Sequence, residues 1–525
     1  MDKPQKEPLA TWAAVQPERT ALSDRFGILS YRELDGLVRR IACGLWGLGV
    51  RPGDVVAIQL PNRREFVLFQ QAAARIGAAY LPLIMSLRAG DLKHILEACD
   101  ARVMVVPSSY RGFDHAGMIA DCRAYLPGLK HVFVVDAAGE DPANISLDLF
   151  LDKAWEDEFE GAVENLEIHP DSLRHILFTS GTESLPKGVL HSHNTTFFPL
   201  RRHRSYFGLG PEEAVFVATP VGHASGSLFG SELALFLGGK MVLQETWDRE
   251  QALRLIAQEK CTIMWGATTF FVDLVNTELP AGLDLSAFRL ACSAGAPIPR
   301  SLVDLVRQHL GARLISAYGS SEGHNVSIAM LDDPLSRVTD TDGRINPGID
   351  WKTVDGERRS VPAGSPGELA FRGPNLCLGY LSPEHTQKAI DADGYFYSGD
   401  LVEADELGYI RVVGRCKDII IRGGENISPA EIESILFRHP AVNDVAVFGI
   451  PDARLGERTC AAVIAKAGAT PTLADFVSFL GEHKIAKFKY PEFVMVVEEL
   501  PRTASGKVKK NTLRAMALGS TGTQS

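Results

Sequence analysis

Residues 177–193 read LFTSGTESLPKGVLHSH. The apolar pair Leu177-Phe178 runs into Thr179-Ser180-Gly181-Thr182, and Lys187-Gly188 follow a proline. Hydroxyls, a glycine-freed backbone and one lysine in a single loop suit the oxygens of a phosphate chain. The loop is not a Walker A element, because the GxxxxGK(S/T) spacing is absent. Taken alone, a Ser-Gly-Thr loop is as readily a plain turn.

The apolar run that feeds this loop is one of a series. VVAIQL (55–60), RVMVV (102–106), HVFVVD (131–136), AVFVATP (214–220) and KMVLQ (240–244) are continuous apolar stretches suited to buried strands. Helix-period segments separate them. From Tyr31 to Leu48, for example, Leu34, Leu37, Val38, Ile41, Leu45 and Leu48 form one stripe. This alternation predicts an α/β fold with mainly parallel sheets. Composition changes again at GRCKDIIIRGGENISPAEIE (414–433), which opens a stretch with its own helix (429–438) and strand (445–449). The predicted organisation is a large multi-lobed N-terminal domain, 1–414, joined by a charged, glycine-bounded linker to a small α+β domain, 415–525.

Composition bounds the function. The 525 residues are 45% hydrophobic and 23% charged, ordinary values for a chain with a large core. With 54 basic against 65 acidic residues the formal charge is −11, which argues against a dedicated nucleic-acid binder. Small anions stay open, since a local site needs few cations. The 8 cysteines include no CxxC pair, so neither a zinc cluster nor a disulfide framework is indicated, and buried reduced thiols are expected. The polar start MDKPQKEPLATW has no apolar core of a signal peptide, and TGTQS is not a peroxisomal tripeptide. No apolar stretch is long enough for a membrane span, so a cytoplasmic protein is expected.

Three further segments carry chemistry. YGSSEG (318–323) joins an aromatic, a flexible glycine, two hydroxyls and a carboxylate: Tyr318 is suited to stack on a base and Glu322 to hold Mg²⁺. YSGDL (397–401) offers Asp400 as an acceptor for ribose hydroxyls. PRTASGKVKK (501–510) sets Lys507 beside a glycine, with Lys509 and Lys510 read as a solvated face. Each alone is an ordinary turn; their joint occurrence is not.

TSGTESLPKG, YGSSEG, YSGDL, GRCKDIIIRGGENI and PRTASGK together resemble the core motifs of the adenylate-forming superfamily, which holds acyl-CoA synthetases, peptide-synthetase adenylation domains and firefly luciferase. The resemblance runs from QPERTAL (16–22) to the C-terminal lysine motif. QLPNRREF (59–66) and FTSGTESLPKGVLHSHNT (178–195) look most like cyclohexanecarboxylate- and medium-chain-acid CoA ligases. It implies ATP-dependent activation of a carboxylic acid as an acyl-adenylate, then thioester formation with coenzyme A, releasing AMP and pyrophosphate. By resemblance, Thr179, Ser180, Gly181, Thr182 and Lys187 handle the β- and γ-phosphates. Gly295, Ala296 and Pro297 line adenine with Tyr318, next to Gly319, Ser320 and Ser321. Glu322 holds Mg²⁺, Asp400 and Arg415 take the ribose, and Lys507 bridges the substrate carboxylate and the α-phosphate. Lys417 matches the hinge of a mobile C-terminal cap, and Gly423 and Gly424 match the coenzyme A tunnel. A homodimer is compatible with the resemblance.

PVGHASGS (220–227) matches the segment that sets His223 beside the substrate carboxylate. It lacks the aspartate that holds an amino acid's ammonium group, which disfavours amino acids. Gly319 stands where acetate-specific relatives carry tryptophan, so an acid larger than acetate is expected: medium-chain, alicyclic or aromatic. WGATTFF (265–271) offers pocket wall or core, and His191 and His193 read as solvent-facing or capping residues. One departure stands out: Thr182-Glu183-Ser184 replaces the family's Thr-Thr-Gly, and an inward Glu183 would repel ATP. The competing functions are loading of a carrier protein and a degenerate nucleotide-binding protein. Coenzyme A-dependent AMP release and carboxylate-dependent pyrophosphate exchange separate them.

Overall fold

Ser30 opens the first long helix, Tyr31–Gly47, by a capping box: its side chain accepts from Glu33 N–H and the Glu33 carboxylate accepts from Ser30 N–H. The stripe expected from the sequence is the buried one, with Leu34, Val38, Ile41 and Leu45 inaccessible to solvent. This helix and Arg64–Arg75 bury their apolar faces in a core shared with Val56, Ile58 and Val103 on one side and Val215 and Met241 on the other. Those residues belong to two different sheets, so the helices are an inner layer between them.

These relations come from a computed structural model that describes residues 7–137, 143–179, 186–295, 298–422, 425–452, 454–483, 485–502 and 508–521. The chain divides into two compact units, the first from 7–179, 186–350 and 372–394, the second from 351–371 and 395–521. Compactness groups 351–371 and 395–414 with the residues after 414, where the change of composition set the expected boundary.

Among the described residues the first unit holds two large sheets with parallel centres. In one, the strands Ala214–Val217, Ile263–Gly266, Leu290–Ala294 and Arg313–Ser320 lie side by side and parallel, and His324–Ile328 adds an antiparallel edge. In the other, Val55–Ile58, Ala79–Pro82, Val103–Pro107 and His131–Val135 are parallel neighbours, and Leu173–Thr179 joins parallel to Ala79–Pro82. Lys187–Ser192 and Gly379–Tyr380 extend that sheet antiparallel.

The second unit carries two sheets of its own. One pairs Phe396–Ala404 with Pro366–Arg372 and Ile410–Arg415. The other centres on Gly456–Ala465 and Val442–Asp452, covered by helices Pro429–Leu436 and Leu473–Glu482. The expected linker is regular structure: a strand to Arg415, a short 3₁₀ turn Cys416–Asp418 and a strand Ile420–Arg422. Of the cysteines, Cys416 alone is exposed, against the expectation that all are buried. No helix among the described residues is long and apolar enough to cross a membrane.

His191 and His193 overturn the solvent-facing expectation, for both are buried. His193 belongs to a node around Arg174, whose side chain is 0% exposed. Arg174 donates to Glu7 and to Glu232, each at 2.8 Å, and Nη1 donates to His193 Nδ1 at 3.0 Å. Burial alone would raise the Glu7 carboxyl, but the Arg174 guanidinium overrides it and holds the group at about 2. Burial pushes the Glu232 carboxyl up, and Arg174 offsets this only in part. Arg174→Met leaves two buried carboxylates without their cation and is expected to lower the unfolding free energy by about 3–5 kcal/mol. Urea unfolding at pH 7 measures this; a loss below ~1 kcal/mol would refute the role of the node.

Candidate active site

The residues singled out by the sequence in the first unit gather at the carboxyl ends of its strands, the usual ligand edge of an α/β sheet. Thr179 and Lys187 are the last register pair of the hairpin formed by Leu173–Thr179 and Lys187–Ser192. Residues 180–185 between them, with Ser180, Gly181, Thr182, Glu183 and Ser184, lie outside the described residues. Next to Lys187, Gly188 is required: a Cβ there would come within 2.4 Å of the Leu381 side chain on the strand that brings in Tyr380.

In the other sheet, Ala294 is the register partner of Ala317, which sets Gly295 beside Tyr318 and Gly319. Gly295 has φ +88° with open space around it, so its backbone conformation is what demands glycine. Gly319 is demanded for a different reason. A Cβ on it would lie 1.6 Å from the His324 carbonyl oxygen across the hairpin. The backbone therefore accounts for this glycine, and it carries no separate message about the size of the acid. Ala296 and Pro297 lie outside the described residues.

The turn after Ser320 is pinned atom by atom. Gly323 N–H donates to Ser320 Oγ at 3.3 Å. The carbonyls of Ser321, Glu322 and Gly323 accept in turn from His191 Nε2 (2.7 Å), Cys377 N–H (2.8 Å) and Asn375 Nδ2 (2.8 Å). The Glu322 carboxylate accepts from the Tyr380 hydroxyl at 2.7 Å. Burial, and then the Glu322 charge, push the Tyr380 phenol well above its ordinary value, so it remains a donor. The Lys187 ammonium lies 5.8 Å from the centre of the same tyrosine ring.

Behind the turn, His175, His191 and His324 form a buried column, with His191 and His324 stacked at 3.8 Å between centroids. Their ring nitrogens are within 4.8 Å of one another, a spacing worth testing against a metal site. The fit fails at His191. Nε2 is taken by the Ser321 carbonyl and Nδ1 faces Thr195 Oγ1 at 3.0 Å, so neither lone pair is open. Burial pushes His191 down to about 4 and His175 and His324 well below their ordinary value, which keeps the column neutral.

His223 sits on 220–226, a turn folded so closely that a Cβ on Gly226 would lie 2.3 Å from the Pro220 carbonyl oxygen. It precedes the short helix Ala224–Gly226 and the π-helix Ser227–Glu232, a form common at functional sites. Asn62, which the sequence did not single out, pins this turn. Its amide donates to the carbonyls of Val217 and Thr219 and accepts from Val221 N–H at 2.8 Å. Trp265 and Phe271 are core.

In the second unit, Asp400 and Arg415 are register partners, and Arg415 Nε donates to Asp400 Oδ1 at 2.9 Å. Asp400 is 8% exposed and is presented by Gly399, at φ +70°. Lys417 lies exposed on the 3₁₀ turn, and Lys510 pairs with Glu433 at 2.8 Å, a partner the solvated-face reading missed. Gly423, Gly424 and Lys507 lie outside the described residues; Arg422 and Glu425, and the Arg502–Val508 bridge, flank them.

A strand-edge lysine, a pinned carboxylate and clustered hydroxyls are what a polyphosphate needs, and the relatives agree. The profile of the AMP-binding enzyme family matches residues 9–381, and that of the AMP-binding enzyme C-terminal domain matches 431–507. The chain belongs to the AMP-binding enzyme family. It is similar to the medium-chain fatty-acid–CoA ligase of Escherichia coli (39% identity over 505 residues, covering 96% of this chain and 88% of that one). It is also similar to the 2-hydroxy-7-methoxy-5-methyl-1-naphthoate–CoA ligase of Streptomyces carzinostaticus (33% over 523 residues, 97% and 92%). Among solved structures it superposes on ATP-bound MatB from Rhodopseudomonas palustris with a TM-score of 0.87 at 29% identity, covering 97% and 98% of the two chains. The anthranilate–CoA ligase AuaEII with anthranoyl-AMP gives 0.86 at 25%, covering 99% and 98%. Like its family, the protein is an AMP-forming acid–thiol ligase: it activates a carboxylic acid with ATP and passes the acyl group to coenzyme A.

His191 and His203 are each held near 4 by burial. Unfolded histidine titrates near 6.5. Between these values the unfolded chain binds more protons, so stability falls as pH falls from about 6.5 toward 4, by about 1.4 kcal/mol per pH unit for each such residue. His203→Gln is expected to flatten that slope by one proton in urea unfolding at pH 7, 6 and 5. An unchanged slope would refute the assignment.

Proposed function

We propose that this ligase takes a medium-chain, alicyclic or aromatic carboxylic acid. What carries the reading is the Lys187–Tyr380–Glu322 group at the strand edge, set in a chain whose relatives act on fatty and aromatic acids. PVGHASGS supports it, having no carboxylate to hold an amino acid's ammonium group.

In the first step a carboxylate oxygen attacks the α-phosphorus of ATP and pyrophosphate leaves. In the second, the coenzyme A sulfur attacks the acyl carbon and AMP leaves. The first step brings anion to polyanion, so positioning and fixed charge carry most of the catalysis. We assign Thr179, Ser180, Gly181, Thr182 and Lys187 to the β- and γ-phosphates. Gly295, Ala296, Pro297 and Tyr318 go to adenine, with Gly319, Ser320 and Ser321 shaping the turn. Asp400 and Arg415 go to the ribose hydroxyls and His223 to the substrate carboxylate. Lys507 neutralises the charge that develops between carboxylate and α-phosphate. Glu322 suits Mg²⁺, since a pinned hard oxygen beside phosphate oxygens is what that ion takes. The ion would offset the polyphosphate charge. Residues 415–525 form the mobile part, with Lys417 as hinge and Gly423 and Gly424 leaving room for the pantetheine arm. A cytoplasmic homodimer completes the proposal; free, mostly buried thiols support the compartment.

The test is a panel of acids (butyrate to decanoate, cyclohexanecarboxylate, benzoate) with ATP, Mg²⁺ and coenzyme A, following AMP and acyl-CoA. AMP release with several of these and none with acetate is expected; adenylate formed without coenzyme A-dependent AMP release sinks the coenzyme A assignment. Lys507→Ala is expected to slow adenylate formation by about 10²–10³-fold while ATP still binds. Wild-type pyrophosphate exchange in that variant would refute its role.

A further inference from the structure

Lys187 and Glu322 are opposite charges on one site edge, yet among the described residues Lys187 makes no ion pair. Left alone, such a pair would associate in the empty enzyme, and each ATP would first have to break it. Tyr380 stands against both. Its hydroxyl donates to Glu322 Oε1 at 2.7 Å, and the face of its ring lies 5.8 Å from Lys187 Nζ, near the outer limit of a cation–π contact.

The tyrosine itself is firmly seated. Its strand pairs Tyr380 with Val189 and Gly379 with Leu190. Tyr380 N–H donates to Thr386 Oγ1 at 2.9 Å. Gly379 has φ +130°, and a Cβ on it would lie 2.9 Å from the Thr386 side chain. The carbonyl of Glu322 is meanwhile held by Cys377 N–H from the same segment. The segment 377–380 thus fixes both the backbone and the carboxylate of Glu322.

We propose that Tyr380 is a positioning residue with two parts: its hydroxyl fixes the Glu322 carboxylate for the divalent cation, and its ring keeps Lys187 from pairing with that carboxylate. This rests on the assignment of Glu322 to the metal and of Lys187 to the phosphates. Occupying Oε1 with a neutral donor leaves Oε2 as the oxygen for the ion without removing the charge that attracts it. The ring leaves the ammonium polarised and uncommitted.

Two variants separate the parts. Tyr380→Phe keeps the ring and loses the hydroxyl; Tyr380→Leu loses both. ATP binding is measured by calorimetry in EDTA, and Mn²⁺ binding to the enzyme–ATP complex by electron paramagnetic resonance, so neither readout depends on turnover. In Tyr380→Phe, Mn²⁺ affinity is expected to fall about tenfold, the worth of one hydrogen bond to a charged group, with metal-free ATP affinity within about twofold of wild type. In Tyr380→Leu, metal-free ATP affinity is expected to fall as well, about tenfold, and to recover when Glu322→Gln is added, because glutamine cannot hold Lys187. A general structural defect would not be repaired by a second substitution.

Normal Mn²⁺ affinity in Tyr380→Phe, with weakened affinity in Glu322→Gln, overturns the proposal while the metal assignment stands. Failure of the second substitution to restore ATP binding overturns the separating role. Unchanged Mn²⁺ affinity in Glu322→Gln alone overturns the metal assignment and the proposal with it.

Discussion

Arg174 is the constraint on which the first unit depends. Its guanidinium, wholly buried, meets Glu7 before the first helix, His193 at the head of helix His193–Phe207, and Glu232 at the end of the π-helix. Its own strand, Leu173–Thr179, ends where residues 180–185, proposed above to meet phosphate, begin. One cation therefore fixes the strand that enters the loop, the helix that leaves the lysine strand, and the helix that follows His223. A buried ion cluster gains little over apolar packing, but it tolerates no substitute geometry, because any misfit strands a charge. Its contribution is the angle at which three site-bearing segments meet.

The same logic, with neutral groups, governs the edge where the ligand sits. Three successive carbonyls, 321 to 323, point at three different donors, one on strand Lys187–Ser192 and two on the segment 375–377. His191 serves as one of them with its proton on Nε2, and burial, which lowers its proton affinity, keeps the ring neutral. Glycines do the complementary work: at 188 and 319 a side chain would strike a neighbour, so glycine lets two segments approach closely there. The backbone polar groups of this edge are used up within the protein, so on the proposed assignment side chains such as Lys187 are what meets the ligand.

Much of this was legible in the sequence where the signal is local. The helix expected over 31–48 is Tyr31–Gly47, and each apolar run produced a strand within two residues of its expected start. Thr179 and Lys187 face each other at the end of one hairpin, and Tyr318 and Glu322 lie at the end of a strand of the other sheet, places that the sequence marks locally. The partners that hold them did not show. Tyr380 lies 58 residues from Glu322, and His191 lies 130 from Ser321. Both pairs cross from one sheet to the other, and the strand that carries Tyr380 lies beside Lys187–Ser192, a neighbour remote in the chain. The HSH tripeptide looked polar, and only the fold shows that two of its members replace water for an arginine and a carbonyl. The glycine-tyrosine pair at 379–380 and the asparagine in QLPN were the available hints, each too short to separate from a turn.

The formal charge of −11 poses a problem that the fold answers by pairing. In an acidic chain many cations of the described residues find a carboxylate: Arg63 takes Glu65 and Asp136, Arg64 takes Asp24, and Arg415 takes Asp400. Pairing is cheap at the surface, where unit charges 4 Å apart attract by about 4 kcal/mol at an effective dielectric constant of 20. A site lysine that joined this pattern would lose to its own protein the attraction meant for phosphate. An arginine has several N–H groups and can share a carboxylate with a second acceptor, whereas an ammonium is a compact point charge. On the proposed assignments, the phosphate site needs its lysine kept apart from carboxylates, and the ribose site does not. Net charge alone says nothing of that difference; it lies in which cations the fold leaves unpaired.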